Sequence, residues 1–348
     1  MTYLKNNIKF LAILQLFFLI YSCNETTEQI LSEIKQGKDI NEPISLNYSQ
    51  ASLASNTTVY PGGNIQNAIN SMSSSGGGTV YLAAGNHIIS SSIILKSNVN
   101  LEGVSSANYY DVIIMPNSTS FNEPLIANSS PIVNINLRNF KIRGNLISSE
   151  QNLPPSYHTS GTAYTNSSIR DDIFGIKLIG EGTTYATAEN KNINIEDVEV
   201  RNCSMGIHLK GMRDIFMKNL KLHQNGLIET YFHNIYLRRV FKVHLRESEM
   251  TNSPTANGIN VSQSEDVILK YNKCNNNFFR GLRVEGEAGY IINNVDLFQN
   301  ETKNNGQIGF RVRNVSSGNI STNTSTGNGT NTNFYATGSV TFNNNSWQ

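Results

Sequence analysis

Short segments in which apolar and polar residues alternate recur along the chain. The repeated unit is glycine, apolar, any, apolar, any, and successive starts lie between 23 and 31 residues apart. The unit occurs at 175–179, 206–210, 258–262, 281–285 and 309–313, and at 234–238 with Asn234 replacing glycine. Because successive side chains of a strand point to opposite faces, each unit predicts a strand with two apolar residues inward and two residues outward.

Each unit is followed by two more alternating stretches, for example 215–217 and 220–222. Three strands per repeat predict an all-β parallel β-helix, in which three-strand coils stack into one elongated domain. Leucine-rich repeats and propeller blades fit this period less well. Asparagines near the strand ends suit tight corners with left-handed backbone, and their stacked amides can bond to one another. Those asparagines are Asn202, Asn225, Asn252, Asn275, Asn276 and Asn300.

The first folded segment is predicted to be a short amphipathic helix. Ile65, Ala68, Ile69 and Met72 share one helical face after Pro61-Gly62-Gly63. The sequences Gly-Gly-Thr-Val-Tyr-Leu at 77–82 and Leu-Lys-Ser-Asn-Val-Asn-Leu-Glu-Gly at 95–103 follow it. This succession resembles the capping helix and first coil of pectin-lyase-like right-handed parallel β-helices. The resemblance implies a right-handed coil and a polysaccharide as ligand.

The N-terminal segment is predicted to be an export signal. Lys5 and Lys9 precede an apolar run at 10–20, which is too short to span a bilayer comfortably, and the run ends before Cys23. This pattern resembles the lipobox of bacterial lipoproteins, which implies a signal peptide at 1–22 and lipidation of Cys23. We therefore expect an exported protein, lipid-anchored to the bacterial membrane or cell surface. Ordinary secretion, with Cys23 inside the removed peptide, is the alternative.

The remaining chain divides into a flexible polar tether at 23–57 and a single β-helix domain at 58–348, which we expect to be monomeric. The segment 146–172 lacks alternation and contains Pro154-Pro155, so we predict a loop insertion. It either forms a wall over the first strands or is an ordinary surface loop. Cys203 and Cys274 end similar β segments and are predicted to be separately buried thiols.

The outward residues of the repeated units form two columns when the coils are stacked. The first column contains Lys177, His208, Tyr236, Asn260, Arg283 and Arg311. The second column contains Ile179, Lys210, Arg238, Ser262, Glu285 and Arg313. Stacked cations repel one another unless an anion lies between them, so the columns predict binding of a uronic-acid-containing polysaccharide. The alternative is a solvated face on which Glu285 and free ions balance the cations.

The charge balance supports a local site. The net charge is only +1 and charged residues make up 15% of the chain, so no basic field suggests nucleic acid.

Removing the C5 proton of a uronate requires a base, and cations must stabilise the charge that spreads into the carboxylate. We predict His208 and Tyr236 for proton transfer, with Lys210 and Arg238 at the carboxylate. The predicted substrate contacts are Lys177, Arg239, Asn260, Arg283, Glu285, Arg311 and Arg313.

The run at 233–239 is similar to a strand of bacterial mannuronan epimerases, in which a histidine and an arginine line the alginate groove. That similarity implies that Arg238 or Arg239 holds the carboxylate and that His233 takes part at the edge of the groove. It covers one coil, and the Asp-Pro-His motif that those enzymes carry on the preceding coil is absent here. A hydrogen-bonded corner histidine is the alternative for His233.

The predicted function is a polysaccharide lyase that works by C5 proton abstraction and β-elimination. A C5-epimerase shares the first step and stays open, as do a glycoside hydrolase and a non-catalytic glycan-binding surface protein. The columns contain no aspartate, whereas glycoside hydrolysis ordinarily uses two carboxyl groups and calcium requires several oxygen ligands. We therefore predict no obligatory metal and no cofactor.

Overall fold

The computed structural model describes residues 55–104, 111–147, 151, 170–227, 231–287 and 289–347. These residues form a parallel β-helix with one helix, which confirms the predicted fold. The helix is α1 (Ile65–Ser74). The strands are β1 (Ser55–Val59), β2 (Gly78–Leu82), β3 (Gly85–Ile89), β4 (Ile93–Ile94), β5 (Val99–Gly103), β6 (Val112–Pro116), β7 (Ile126–Ala127), β8 (Val133–Arg143), β9 (Phe174–Ile179), β10 (Asn190–Arg201), β11 (Met205–Lys218), β12 (Lys221–His223), β13 (Ile235–Arg246), β14 (Glu249–Thr251), β15 (Ile259–Ser262), β16 (Glu265–Lys270), β17 (Lys273–Asn275), β18 (Arg280–Glu285), β19 (Asn293–Phe298), β20 (Glu301–Lys303), β21 (Ile308–Ser321), β22 (Thr324–Thr326), β23 (Thr330–Asn343) and β24 (Ser346–Trp347).

The strands stack into three parallel sheets, because long strands such as β11 and β13 turn a corner and contribute to two of them. Sheet I contains β4, β7, β9, the first halves of β11 and β13, β15, β18 and the first half of β21. Sheet II contains the second halves of β11 and β13, with β10 before them and β16 and β19 after them. Sheet III contains β12, β14, β17, β20 and β22.

The core lies inside the coil and is built from the inward apolar residues of the repeated unit. On sheet I one inward column is fully buried and consists of Ile176, Ile207, Ile235, Ile259, Leu282 and Phe310. Each such side chain contributes roughly 1.5–3 kcal/mol relative to an exposed one. The apolar positions of the unit therefore account for a core that continues from coil to coil.

Asparagine performs two different tasks at the corners. Asn202, Asn252 and Asn276 adopt the left-handed backbone conformation, as predicted. Asn300 instead belongs to a buried amide stack, in which it accepts a hydrogen bond from Asn272 and donates one to Asn323, both at 3.0 Å. Asn225 is also buried and donates to the backbone oxygen of Val200, while Asn275 donates to Glu301. Both predicted uses of asparagine therefore occur.

Helix α1 covers the N-terminal end of the coil, as predicted. Asn64 caps it by accepting a hydrogen bond from the backbone N–H of Asn67, and Ile65, Ile69 and Met72 are buried beneath it. Cys203 and Cys274 are buried free thiols, which confirms that prediction. Within the described ranges, no helix is long and apolar enough to cross a bilayer.

The sheet begins at Ser55, before the predicted domain start at 58. The predicted signal peptide, Cys23 and nearly all of the tether lie outside the described residues. The predicted insertion at 146–172 is described only at 146–147, 151 and 170–172.

Candidate functional site

The two outward columns form on sheet I in the predicted register. His208 pairs with Lys177 on one side and with Tyr236 on the other, and the column continues through Asn260 and Arg283. Lys210 pairs with Arg238 in the second column. We call His208, Lys210, Tyr236 and Arg238 the sheet I cluster.

His208 is held in an apolar environment by aromatic rings. Its ring stacks on that of Tyr236, with centroids 5.1 Å apart and 14° between the planes, and the Phe174 ring lies 6.0 Å away. Burial, followed by the positive charges of Lys177 and Lys210, lowers the pKa of His208 to about 4. Both ring nitrogens are buried without a hydrogen-bond partner among the described residues. At neutral pH this side chain is therefore an uncharged imidazole with both nitrogens free of protein hydrogen bonds among the described residues.

Lys210 and Arg238 provide positive charge next to that imidazole. In the part of the chain that the structure describes, neither of them forms an ion pair with a carboxylate. Arg238 makes a long hydrogen bond of 3.4 Å through Nε to Oε1 of Gln263, and Arg239 donates to the same oxygen at 3.0 Å. Two partly exposed cations without a carboxylate partner attract an anion to this face.

The hydroxyl group of Tyr236 lies 3.1 Å from that of Ser262, and either can be the donor. The Tyr236 ring also contacts the edge of His233 at 5.4 Å between centroids. Stacking on one histidine and packing against another fix the ring. Tyr236 therefore presents a phenol beside the neutral His208.

The cations of the C-terminal half of the columns are already matched, contrary to the expectation that they stack without counter-charge. Glu285 accepts hydrogen bonds from Arg283 Nε at 3.0 Å and Arg311 Nε at 2.6 Å, and Arg313 lies 3.7 Å away. Arg283 also pairs with Glu287 at 2.6 Å. Burial alone would raise the pKa of Glu285, but the bond from Arg311 and the neighbouring arginines lower it. The balanced-charge alternative is correct for this half.

Two other predicted residues are occupied by internal contacts. Lys177 pairs with Asp172 at 2.5 Å and lies over the Phe174 ring. Asn260 is buried and accepts a hydrogen bond from Arg283 at 2.7 Å. Lys177 flanks the sheet I cluster, whereas Asn260 joins it to the arginines of the C-terminal half.

The predicted position of His233 at the edge of the groove is wrong. Its side chain is 2% exposed, its Nε2 lies 2.7 Å from the amide nitrogen of Asn260, and its Nδ1 accepts from the backbone of Asn257. Burial, followed by the charge of Arg283, holds the pKa of His233 well below its usual value. His233 is therefore a buried residue that contacts Asn260 and Tyr236 from inside the protein.

Sequence reasoning missed the aromatic wall beside His208 and one further arginine. Phe174 lies 6.3 Å from Phe232, and the two rings continue the aromatic surface of the sheet I cluster. Arg280 stacks on Phe279 at 3.9 Å, and burial lowers its pKa to about 10. Phe174 and Arg280 each directly precede the glycine of a repeated unit. Including that position in the comparison of the units would have identified both residues.

Sheet II carries a similar cluster with a different charge balance. Phe216, Lys218, His244 and Arg246, which we call the sheet II cluster, occupy paired positions on the same two strands, β11 and β13. Burial, followed by Arg246 and Lys270, lowers the pKa of His244 to about 4. Here Lys218 and Arg246 both pair with Glu247, at 3.5 Å and 2.5 Å. The cations of this cluster are compensated.

On sheet III, opposite charges alternate along part of the surface. One outward column reads, in register, Lys141, Glu199, Lys221, Glu249, Lys273 and Glu301. Lys141 lies 3.3 Å from Glu199, and Lys273 lies 3.3 Å from Glu249. The cations of this column and of the sheet II cluster are thus compensated, unlike Lys210 and Arg238 on sheet I. No group of three or more metal-binding side chains occurs among the residues that the structure describes.

Two family models match the chain. A rhamnogalacturonase A/epimerase, pectate lyase-like model matches residues 62–228, and a right-handed β-helix region model matches residues 185–347. None of the curated proteins is significantly similar in sequence.

Solved structures share the fold at low sequence identity. The A-modules of two mannuronan C-5 epimerases from Azotobacter vinelandii are 19% identical, with TM-scores of 0.59 and 0.54, covering 81% of this chain and 71% of theirs. A surface protein and adhesin from Streptococcus pneumoniae is 13% identical, with a TM-score of 0.51, covering 84% of this chain and 97% of its own. These similarities concern the fold alone.

Proposed function

Because the chain is a pectate lyase-like right-handed β-helix protein, we propose that it is an enzyme that cleaves an anionic, uronic-acid-containing polysaccharide by β-elimination. The family match and the epimerase neighbours support a polysaccharide-acting enzyme without separating elimination from epimerisation. The observation that carries the proposal is the pair of unmatched cations, Lys210 and Arg238, beside the neutral imidazole of His208.

In the proposed reaction a uronate carboxylate binds between Lys210 and Arg238, where the guanidinium offers two parallel donors. The neutral imidazole of His208 turns so that one of its buried nitrogens reaches the sugar, and that nitrogen takes the C5 proton. The two cations stabilise the negative charge that spreads into the carboxylate. The C4–O4 bond then breaks, a C4=C5 double bond forms, and the Tyr236 hydroxyl gives its proton to the leaving oxygen. Solvent reprotonates Tyr236, and His208 releases its proton.

Substrate binding also improves His208 as a base. The bound carboxylate adds negative charge beside the imidazole, and this charge favours the protonated form. The bound carboxylate therefore offsets the lowering caused by the neighbouring cations, and the pKa of His208 in the complex lies above its value of about 4 in the free protein. A base works best when its pKa lies near the working pH.

C5-epimerisation is the second candidate, because the structural neighbours include mannuronan C-5 epimerases. Epimerisation returns a proton to the opposite face of the sugar. His208 and Tyr236 stack on the same face of the same sheet, which favours elimination. A non-catalytic surface protein is the third candidate, given the likeness to a pneumococcal adhesin. A hydrolase is less suitable, because Glu285 is bound by arginines.

The test is incubation with alginate, pectate and glycosaminoglycans, in ordinary and in deuterated water. Ultraviolet absorbance of new C4=C5 bonds, with shortening of the chains, supports the lyase. Deuterium at C5 without shortening selects the epimerase. Saturable binding with neither change selects the glycan-binding protein, and absence of binding and turnover on every polymer contradicts all three.

We also propose that Cys23 anchors the protein to the membrane by a lipid, on the strength of the apolar run before it. Radiolabelled fatty acid should enter the full-length protein, and Cys23→Ser should abolish that labelling. Equal labelling of both proteins would contradict the anchor.

A further inference from the structure

Sheet I continues beyond the sheet I cluster toward the N-terminus. Lys177 on β9 pairs in register with Ala127 on β7, and Ala127 pairs with Ile94 on β4. Neighbouring strands lie roughly 4.8 Å apart, so the coils of Ala127 and Ile94 lie about 10–15 Å from that of His208. A polysaccharide lying along the columns would pass over these residues next.

Helix α1 closes this end of the sheet. Gln66 donates through Nε2 to the backbone oxygen of Ile94 at 3.1 Å and accepts from the backbone N–H of Ile94 at 2.7 Å. One side-chain amide thus satisfies both backbone groups of an edge strand, as another strand would. The surface of sheet I therefore ends against the helix rather than at an open edge.

An open cavity of about 500 Å³ lies between the helix and the sheet, and its lining includes Asn70, Lys96, Glu123 and Ser129. Glu123 is occupied, because it accepts hydrogen bonds from the backbone and the hydroxyl of Ser92, both at 3.1 Å. Lys96 forms no ion pair with any described residue. The cavity therefore offers a cation, an amide and a hydroxyl in line with the columns, and the one carboxylate in its lining, Glu123, is held by Ser92.

We propose that this cavity is a second binding subsite for the same polysaccharide chain, which takes a uronate residue on the N-terminal side of the reacting sugar. Lys96 binds its carboxylate, and Asn70 and Ser129 bond to its hydroxyl groups. The inference rests on the proposed function. Since the cavity lies several coils from His208, only an oligosaccharide long enough to span that distance reaches it.

The test compares binding and turnover of uronate oligosaccharides of increasing length by wild type, Lys96→Ala and the control Lys273→Ala, which removes a lysine from sheet III. Lys96→Ala should weaken binding and raise KM about 10- to 100-fold for long oligosaccharides, the loss of one hydrogen bond between charged groups. It should leave short ones and kcat unchanged. Lys273→Ala should match wild type at every length, and thermal unfolding checks that each variant folds.

Two results overturn the subsite while leaving the proposed function intact: wild-type values for Lys96→Ala at all lengths, or an equal change at short and long lengths. Failure of the wild-type protein to bind or turn over any polyuronate oligosaccharide overturns the proposed function and the subsite together.

Discussion

The sheet I and sheet II clusters use similar residues on the same two strands. Each has a lysine on β11, an arginine on β13 and a histidine packed against an aromatic ring. Each histidine has a pKa lowered to about 4, with burial as the main cause. A perturbed histidine therefore does not distinguish a candidate active site from a solvated face in this molecule.

The clusters differ in the residue that follows the arginine. Arg239 follows Arg238 on sheet I, and Glu247 follows Arg246 on sheet II, and both have a left-handed backbone with φ of 52°. Glu247 pairs with both cations of its cluster, whereas Arg239 adds a third positive charge to the other. The comparison teaches that unmatched charge, more than a shifted pKa, marks the candidate site.

The largest expected effect separates the two histidines. His208→Ala should lower kcat by about 10²- to 10⁴-fold, the usual contribution of a general base. His244→Ala should leave kcat within about twofold of wild type, because His244 lies on sheet II beside cations that Glu247 already compensates. Initial rates of C4=C5 formation measure both, and equal losses in the two variants would place the chemistry elsewhere.

The next largest difference in kcat/KM is expected between variants that each lack one cluster arginine. Arg238→Ala should lower kcat/KM about 10- to 100-fold, because a hydrogen bond to a charged group contributes roughly 1.5–3 kcal/mol. Arg246→Ala, the matched change on sheet II, should leave kcat/KM near the wild-type value. Steady-state kinetics on the best polyuronate checks this, and a comparable loss in Arg246→Ala would remove the distinction between the sheets.

Exchanging the charges of Arg239 and Glu247, the residues that follow the arginines of the two clusters, tests the comparison itself. Arg239→Glu should give Lys210 and Arg238 the counter-charge that Glu247 gives on sheet II, and so raise KM on the order of tenfold. Glu247→Arg should leave turnover unchanged. The measurement is the KM of each variant at two salt concentrations. An unaltered KM in Arg239→Glu would show that the charge at position 239 does not control substrate binding.

The pH dependence should separate free enzyme from complex. His208 is neutral above its pKa, so kcat/KM should rise with pH through about 4 and then level off. The acid limb of kcat should lie at higher pH, because the bound carboxylate raises the pKa of His208. Full pH profiles of both parameters test this, and coincident acid limbs would argue against a carboxylate beside His208.

The smallest catalytic effect is expected at the arginine cluster of the C-terminal half. Glu285→Gln should change kcat/KM by no more than about twofold, because Glu285 serves the arginines rather than the reacting sugar. It should reduce the free energy of unfolding by about 3 kcal/mol, since it removes the carboxylate charge that Arg283 and Arg311 share. Denaturant unfolding measures that loss, and a large fall in kcat with unchanged stability would assign Glu285 to catalysis.

The sequence predicted the fold and the register of both columns, because the glycine-based repeat fixes which residues point outward. Balance of the cations by Glu285 was only the alternative for the C-terminal half, since the repeat does not show that Glu285 reaches arginines on its own strand and on the next coil. For His233 the hydrogen-bonded alternative is correct, and the similarity to one epimerase strand, which placed it at the edge of the groove, was misleading. The difference between Arg239 and Glu247 is visible in the sequence, but its meaning depends on the register of β11 with β13.

The most direct measurement of the central claim is a crystal structure of the His208→Ala protein with a bound uronate oligosaccharide. The account predicts a carboxylate between Lys210 and Arg238, with C5 of that sugar facing the space vacated by His208 and its O4 near the Tyr236 hydroxyl. An oligosaccharide bound to sheet II or sheet III, or one on sheet I with its carboxylates turned away from Lys210 and Arg238, would contradict it.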